Sequence, residues 1–280
     1  MYIGSPVYIV SLLLPCLILY VCWRILRNKT EKTQKIVILA LAAANILQHL
    51  CKSVLYPHHF GAGFTINSTA YNVCACLILL TPIAVCVKSR GLKTFCMCVG
   101  ACSGLFAFMF PTWFLGMEVS QLGWEYNRFF VCHCLLFLTS GLYLVLGLHQ
   151  ISYKDFWKMG FCFLLILCII LLNDIICIVS GLLPGWSEEN LYAALKSQNP
   201  FSLMCPREGF DEITSMITAL SPSVFLTNNP NNAYVPILWY AVPLYLVVSV
   251  IAAVVLGIVD RKNLKEDIKA LKAKWKAPKR

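Results

Sequence analysis

The sequence predicts an all-α membrane protein, a seven-transmembrane-helix bundle with its N-terminus outside and its C-terminus cytoplasmic. Three observations carry that reading. Seven apolar stretches each approach the length of about 20 residues that crosses a bilayer's hydrocarbon core. The loops between them alternate strictly between rich and poor in Lys and Arg. The composition, 59% hydrophobic and 13% charged with a mean hydropathy of +0.72, leaves too little charge to cover a soluble domain.

In chain order the stretches are Pro6–Trp23, Ile36–Tyr56, Tyr71–Val87, Thr94–Leu115, Phe129–His149, Phe161–Leu183 and Pro236–Val259. The first has no basic residue before it and no small-residue cleavage site after it, so it reads as a retained span. Residues 1–259 form one transmembrane domain in this reading. The loop 184–235 covers its outer mouth, with short helices expected at Glu188–Ser197 and Gly209–Leu220 before Pro222 and the Asn-rich run at 228–232 break the chain.

Charge fixes the expected orientation. Loops 1–2, 3–4 and 5–6 and the tail after Val259 hold 19 of the 23 basic residues. The opposite side keeps Lys52, Arg128, Lys196 and Arg207 among an excess of acids. Cytoplasmic loops collect Lys and Arg, so the tail lies inside. The net charge of +10 is then a membrane asymmetry rather than a footprint for nucleic acid. The expected location is the bacterial cytoplasmic membrane, with membrane lipids as the standing partners.

The tail, residues 260–280, sets Leu264, Ile268, Leu271 and Trp275 at helical spacing with lysines on its other faces. Such a basic amphipathic helix can lie on an anionic leaflet, each Lys or Arg contributing about 1 kcal/mol near the surface. The alternative is a solvated tail that merely enforces topology. Fifteen cysteines lie almost entirely inside the spans and read as small apolar filler. The pairs spaced two apart, such as Cys74/Cys76 and Cys132/Cys134, diverge by about 200° on a helix and make no zinc site. Cys205 lies in the outer loop, and an external disulfide would join it to a helix end such as Cys74 or Cys132. No metal or cofactor is called for.

Ionisable groups within a span usually face a protein interior or a cavity, and here they are few. The second helix carries Asn45, Gln48, His49 and Lys52 on one face. Tyr71, Asn72 and Cys74 open the third; Asn127, Arg128 and His133 open the fifth; Asn173 and Asp174 lie in the sixth. The expected topology brings all of them to the outer half of the membrane. Two explanations compete: hydrogen bonding between helices, worth about 0.6–2 kcal/mol per bond, and a shared polar pocket. In the pocket reading His49, Lys52, Asn72, Arg128 and Asn173 bind a ligand. Asp174 would neutralise Lys52 or fix the tautomer of His133.

Tyr71-Asn72-Val73-Cys74 followed by Leu77–Pro82 resembles the opening of the third helix in the bacterial YwaF-like integral membrane proteins, which look related to the animal transmembrane protein 164 family. A second match is Phe110-Pro111, then Arg128–Tyr143 with His133 near the start of its helix. Gln48 and Lys52 fall where some members carry an acid and a lysine, and Asn199-Pro200 through Cys205-Pro206 is a fainter echo. The resemblance implies seven helices and, by analogy with animal members regarded as lipid acyltransferases, thioester chemistry through Cys and His. His133 keeps the family's histidine. The third-helix histidine is Asn72 here, the animal nucleophile position falls on Tyr71, and Cys74 takes the position of the bacterial cysteine.

Two functions follow from these residues. The first is an uncharacterised multi-pass membrane protein whose outer pocket binds or moves a lipid or small polar molecule without covalent chemistry. The alternative is a membrane thiol acyltransferase or lipid hydrolase with Cys74 as nucleophile, His133 as base and Asp174 in support. A seven-helix receptor is disfavoured: the third helix ends in Val87-Lys88-Ser89-Arg90 rather than an acid-Arg-aromatic triplet, and the seventh has no Asn-Pro-x-x-Tyr run and no lysine. A quinone or haem protein using His49 and His133 is a minor further reading.

Overall fold

The computed structural model describes residues 2–55, 66–111, 123–182 and 236–276. Among them are eight long helices and no strand: α1 Pro6–Leu26, α2 Glu31–Leu50, α3 Val73–Cys86, α4 Arg90–Met109, α5 Trp124–Val145, α6 Phe156–Val179, α7 Pro236–Val259 and α8 Arg261–Lys276. A single turn at Lys52–Leu55 follows α2, and 3-10 turns sit at Ile66–Ser68 and Tyr153–Asp155. The expected loop helices, Glu188–Ser197 and Gly209–Leu220, and Cys205 lie outside the described residues.

Helix starts follow capping chemistry rather than the first apolar residue. Ser5, Thr30 and Ser89 each accept a hydrogen bond from the backbone N–H three residues on, at Tyr8, Thr33 and Leu92. Thr30 therefore opens α2 at Glu31, five residues before the apolar stretch at Ile36. The Glu31–Lys35 pair at 2.6 Å supports that first turn. Helix ends differ from the hydropathy reading for an equally local reason. After Val145 the chain turns through Gly147 at φ +73°, with Gly147 N–H donating to the Leu144 carbonyl and Leu148 N–H to that of Tyr143. This C-terminal cap stops α5 short of His149.

Among the described residues five helices, α1, α2, α4, α5 and α6, are long and apolar enough to cross a membrane. Helix α3 is apolar but has 14 residues, about 21 Å at the usual rise. The bundle is inverted relative to a water-soluble protein. Apolar side chains such as Ile9, Leu13, Leu17, Val247, Val250 and Val254 are exposed, while Gln34, Asn45, His49, Thr81, Ser140 and Asp174 are buried. In water this would be an aggregating surface; in hydrocarbon it is the stable arrangement.

Helix α5 runs through the centre and packs against α1, α2 and α4. Its approach to α4 is close at Gly104, where a Cβ would stand 2.8 Å from Phe137 Cβ and 2.9 Å from the His133 carbonyl oxygen. Gly160 plays the same part where α6 meets α7 at Tyr245. Small residues at such crossings let two helix backbones approach, the main source of packing energy in lipid.

At the basic end of the bundle, Asp155 is buried and bound to Lys158 Nζ at 2.7 Å and to Arg90 at 3.6 Å. Thr94 links His149 Nε2, 2.8 Å away, to the same carboxylate at 3.4 Å. The network ties the start of α4 to the turn before α6. Nearby, α8 docks on that turn: Asp260 accepts from Tyr153 N–H at 3.1 Å, and Asp267 from the Tyr153 hydroxyl at 2.5 Å and Lys154 Nζ at 2.6 Å. Lys154 and then Tyr153 hold the Asp267 carboxyl below its ordinary pKa.

Candidate functional site

The polar end of the bundle is built where α2 finishes, α3 and α5 begin and α6 finishes. Helix α2 points Gln34, Ile38, Ala42, Asn45 and His49 inward as one stripe. Two amides of α2 donate to α5 carbonyls: Asn45 Nδ2 to Cys132 at 3.1 Å and Gln48 Nε2 to Arg128 at 3.1 Å. Moving forward along α2 means moving back along α5, so the helices are antiparallel.

Between α2 and α6 runs a non-helical segment, residues 69–72, which leads into α3. Backbone of this kind is tolerated at membrane depth only when protein side chains satisfy it or it lines a cavity. His49 Nε2 bonds the Thr69 carbonyl at 2.9 Å. Asn173 closes the other side: its Oδ1 accepts from Ala70 N–H at 3.2 Å and its Nδ2 donates to Thr69 Oγ1 at 2.9 Å. Thr69 Oγ1 passes its own proton to the Ile66 carbonyl at 2.6 Å. Asn72 caps α3 by accepting from Ala75 N–H at 2.8 Å. The sequence reading placed Tyr71 and Asn72 within the third helix. The structure places both before it, because the Asn72 side chain makes the cap.

Lys52 follows the break at Cys51 and is buried, with its ammonium 5.2 Å from the centre of the Tyr71 ring. The charges of Lys52 and Arg128 act on both His49 and His133, and on Cys132. His49, Lys52, Tyr71, Arg128, Cys132 and His133 thus share one neighbourhood.

The two histidines differ in chemistry. A carbonyl can only accept, so His49 carries its proton on Nε2, and Nδ1 is a buried acceptor with no partner among the described residues. His133 Nδ1 lies 2.9 Å from the Phe129 carbonyl, and its ring sits 4.2 Å from that of Phe129. Its proton is therefore on Nδ1, and Nε2 is the basic nitrogen.

The residues considered for catalysis are not joined. Cys74 Sγ donates to Ser103 Oγ on α4 at 3.8 Å rather than to His133. The tautomer of His133 is set by Phe129, one turn back on its own helix, and not by Asp174. Among the described residues Asp174 makes no ion pair with Lys52. It is buried on α6 near Cys177, with Oδ1 unpartnered there. Cys74 and Cys132 are free thiols. Among the described residues no cluster of His, Cys, Asp and Glu could hold a metal ion. Neither Thr69 nor Ser103 is among the residues that the sequence marks for the site. A polar run, Asn67–Asn72, directly before an apolar helix was the available signal for Thr69; a lone serine in α4 gave none for Ser103.

An exterior of exposed aliphatic side chains around buried amides, imidazoles and charges defines a polytopic integral membrane protein. A model of the TMEM164 family matches residues 3–259, so the chain belongs to the TMEM164 family. The match ends at the last residue of α7, and α8 lies beyond it. No curated protein and no solved structure matches the chain.

The hydrogen bonds require opposite tautomers, Nε2–H in His49 and Nδ1–H in His133. Nitrogen-15 NMR of the labelled protein near neutral pH is expected to show that difference. The same tautomer at both sites would contradict the geometry.

Proposed function

We propose that this TMEM164-family protein crosses the membrane seven times, with its N-terminus outside and tail inside, and binds or moves a lipid or small polar molecule in an outer pocket. One observation carries the reading. Lys52, His49, Tyr71, Arg128 and His133 gather around irregular backbone at one end of an otherwise lipid-adapted bundle. Within that neighbourhood His49 Nδ1, Asn45 Oδ1 and Gln48 Oε1 are buried acceptors without a partner among the described residues. They suit a guest that brings hydroxyl or amine donors, while the nearby cations suit a polar or anionic headgroup.

Several side chains first considered as ligands serve the frame in this account. Asn173 and His49 Nε2 hold the 69–72 segment, and Asn72 holds the start of α3. His49 Nδ1 is the acceptor left to meet a guest, with the charges of Lys52 and Arg128 acting on the same ring. Acyl transfer through Cys74 is the less favoured reading, because a thiol nucleophile needs a base in hydrogen-bond reach and this sulfur bonds Ser103 instead.

Mass spectrometry of the purified protein is expected to find a bound lipid or small molecule. Occupancy should fall at least about tenfold, or about 1.4 kcal/mol, in His49→Leu or Lys52→Met and persist in Cys74→Ala. An acyl thioester on Cys74, or loss of the guest in Cys74→Ala alone, would overturn the binding reading in favour of catalysis. For orientation, a membrane-impermeant reagent on intact cells should modify a tag before Pro6 and spare one after residue 280. The reverse pattern would invert the topology.

A further inference from the structure

Helix α8 has three distinct sides. At about 100° per residue, Asp260 and Asp267 fall on one flank, Leu264, Ile268 and Leu271 on the next, and Arg261, Lys265, Lys269 and Lys272 beyond them. The acidic flank is engaged by the protein itself, through Tyr153 and Lys154. Leu264 folds back to Gly257, 3.4 Å from where a Cβ would stand. Ile268 and Leu271 are 44% and 62% exposed, and the four basic residues are exposed as well.

Position selects the partner. Ile258 and Val259, the last residues of α7, are themselves 69% and 58% exposed, as lipid-facing side chains of a bundle are. Asp260 is the one residue between them and α8. Two acidic contacts then hold α8 beside the turn that precedes α6, at the same end of the bundle as Arg90 and Asp155. The helix is kept at the level where hydrocarbon gives way to headgroups, with apolar residues next to a cationic row. A tail that only enforced topology would need its charges and neither the apolar side nor the acidic clamp.

We propose that α8 is an interfacial anchor that binds the anionic phospholipid headgroups of the leaflet at the basic end of the bundle. Arg261, Lys265, Lys269 and Lys272 meet the phosphates, and Ile268 and Leu271 enter the acyl boundary. Charge complementarity favours a lipid surface, and the start of α8 one residue after lipid-facing residues keeps that surface within constant reach. Asp260 and Asp267 set the rotation of the helix, so that its cations face away from the protein.

The full chain, reconstituted in nanodiscs of phosphatidylcholine with or without about 30% phosphatidylserine, tests this by hydrogen exchange over residues 261–276. At low salt, exchange is expected to slow about tenfold in the anionic discs, a difference that shrinks at about 0.5 M salt as the charges are screened. Lys265→Gln/Lys269→Gln/Lys272→Gln should abolish the lipid dependence while α4 and α5 amides keep their wild-type rates. Asp267→Asn, which loosens the clamp and leaves every cation in place, should retain it. Equal exchange in the two kinds of disc would overturn the proposal, as would protection that requires an added acidic protein and not the anionic lipid. If the triple variant perturbs the core, Ile268→Ser with Leu271→Ser is read instead; undiminished lipid-dependent protection there would equally refute the anchor.

Discussion

A bilayer offers a backbone no water to bond, and this constraint organises the polar end of the molecule. A chain that leaves helical geometry within or near hydrocarbon exposes N–H and C=O groups, each costing several kcal/mol if unmet. The chain leaves helical geometry at residues 69–72, between α2 and α6. It is stable there because His49 takes the Thr69 carbonyl, Asn173 takes the Ala70 amide and the Thr69 hydroxyl, and Asn72 takes an amide of α3. Three polar residues that look like ligands in the sequence are thus the supports of a short irregular stretch.

Those supports have consequences for chemistry. With α3 starting at Val73, Tyr71 meets the Lys52 ammonium, and the Cys74 thiol turns to Ser103. Asn45 and Gln48 lock α2 antiparallel to α5 through consecutive turns of α5 carbonyls, which brings His49 and His133 under the same Lys52 and Arg128 charges. Gly104 lets α4 press on the backbone at His133. The outcome is a cationic and imidazole-bearing neighbourhood held by neutral hydrogen bonds, and the proposed recognition of a polar guest rests on it.

Much of this was legible in the sequence. Apolar runs located the long helices, since hydrocarbon demands them, and the spacing of Asn45, Gln48 and His49 marked the buried face of α2. The quoted motifs pointed to the family that the chain belongs to. Helix boundaries were less legible, because hydropathy averages over windows while Thr30, Asn72 and Gly147 act through single hydrogen bonds. The division of labour among the polar residues was hidden for another reason. Asn173 and Asp174 are neighbours in sequence yet have different surroundings, and periodicity cannot say which one meets the 69–72 segment. His149, to which the sequence assigned nothing, closes onto Thr94 once the cap at Gly147 stops α5.

The claim at the centre is that α6 grips the irregular segment through the Asn173–Thr69 pair, and a double-mutant cycle measures that directly. Asn173→Ala, Thr69→Ala and the double variant, unfolded in micelles under identical conditions, should be non-additive. A coupling of about 0.6–1.7 kcal/mol is expected for a hydrogen bond within the membrane. Additive effects of the two substitutions would mean that the pair does not hold the segment, and would contradict the account.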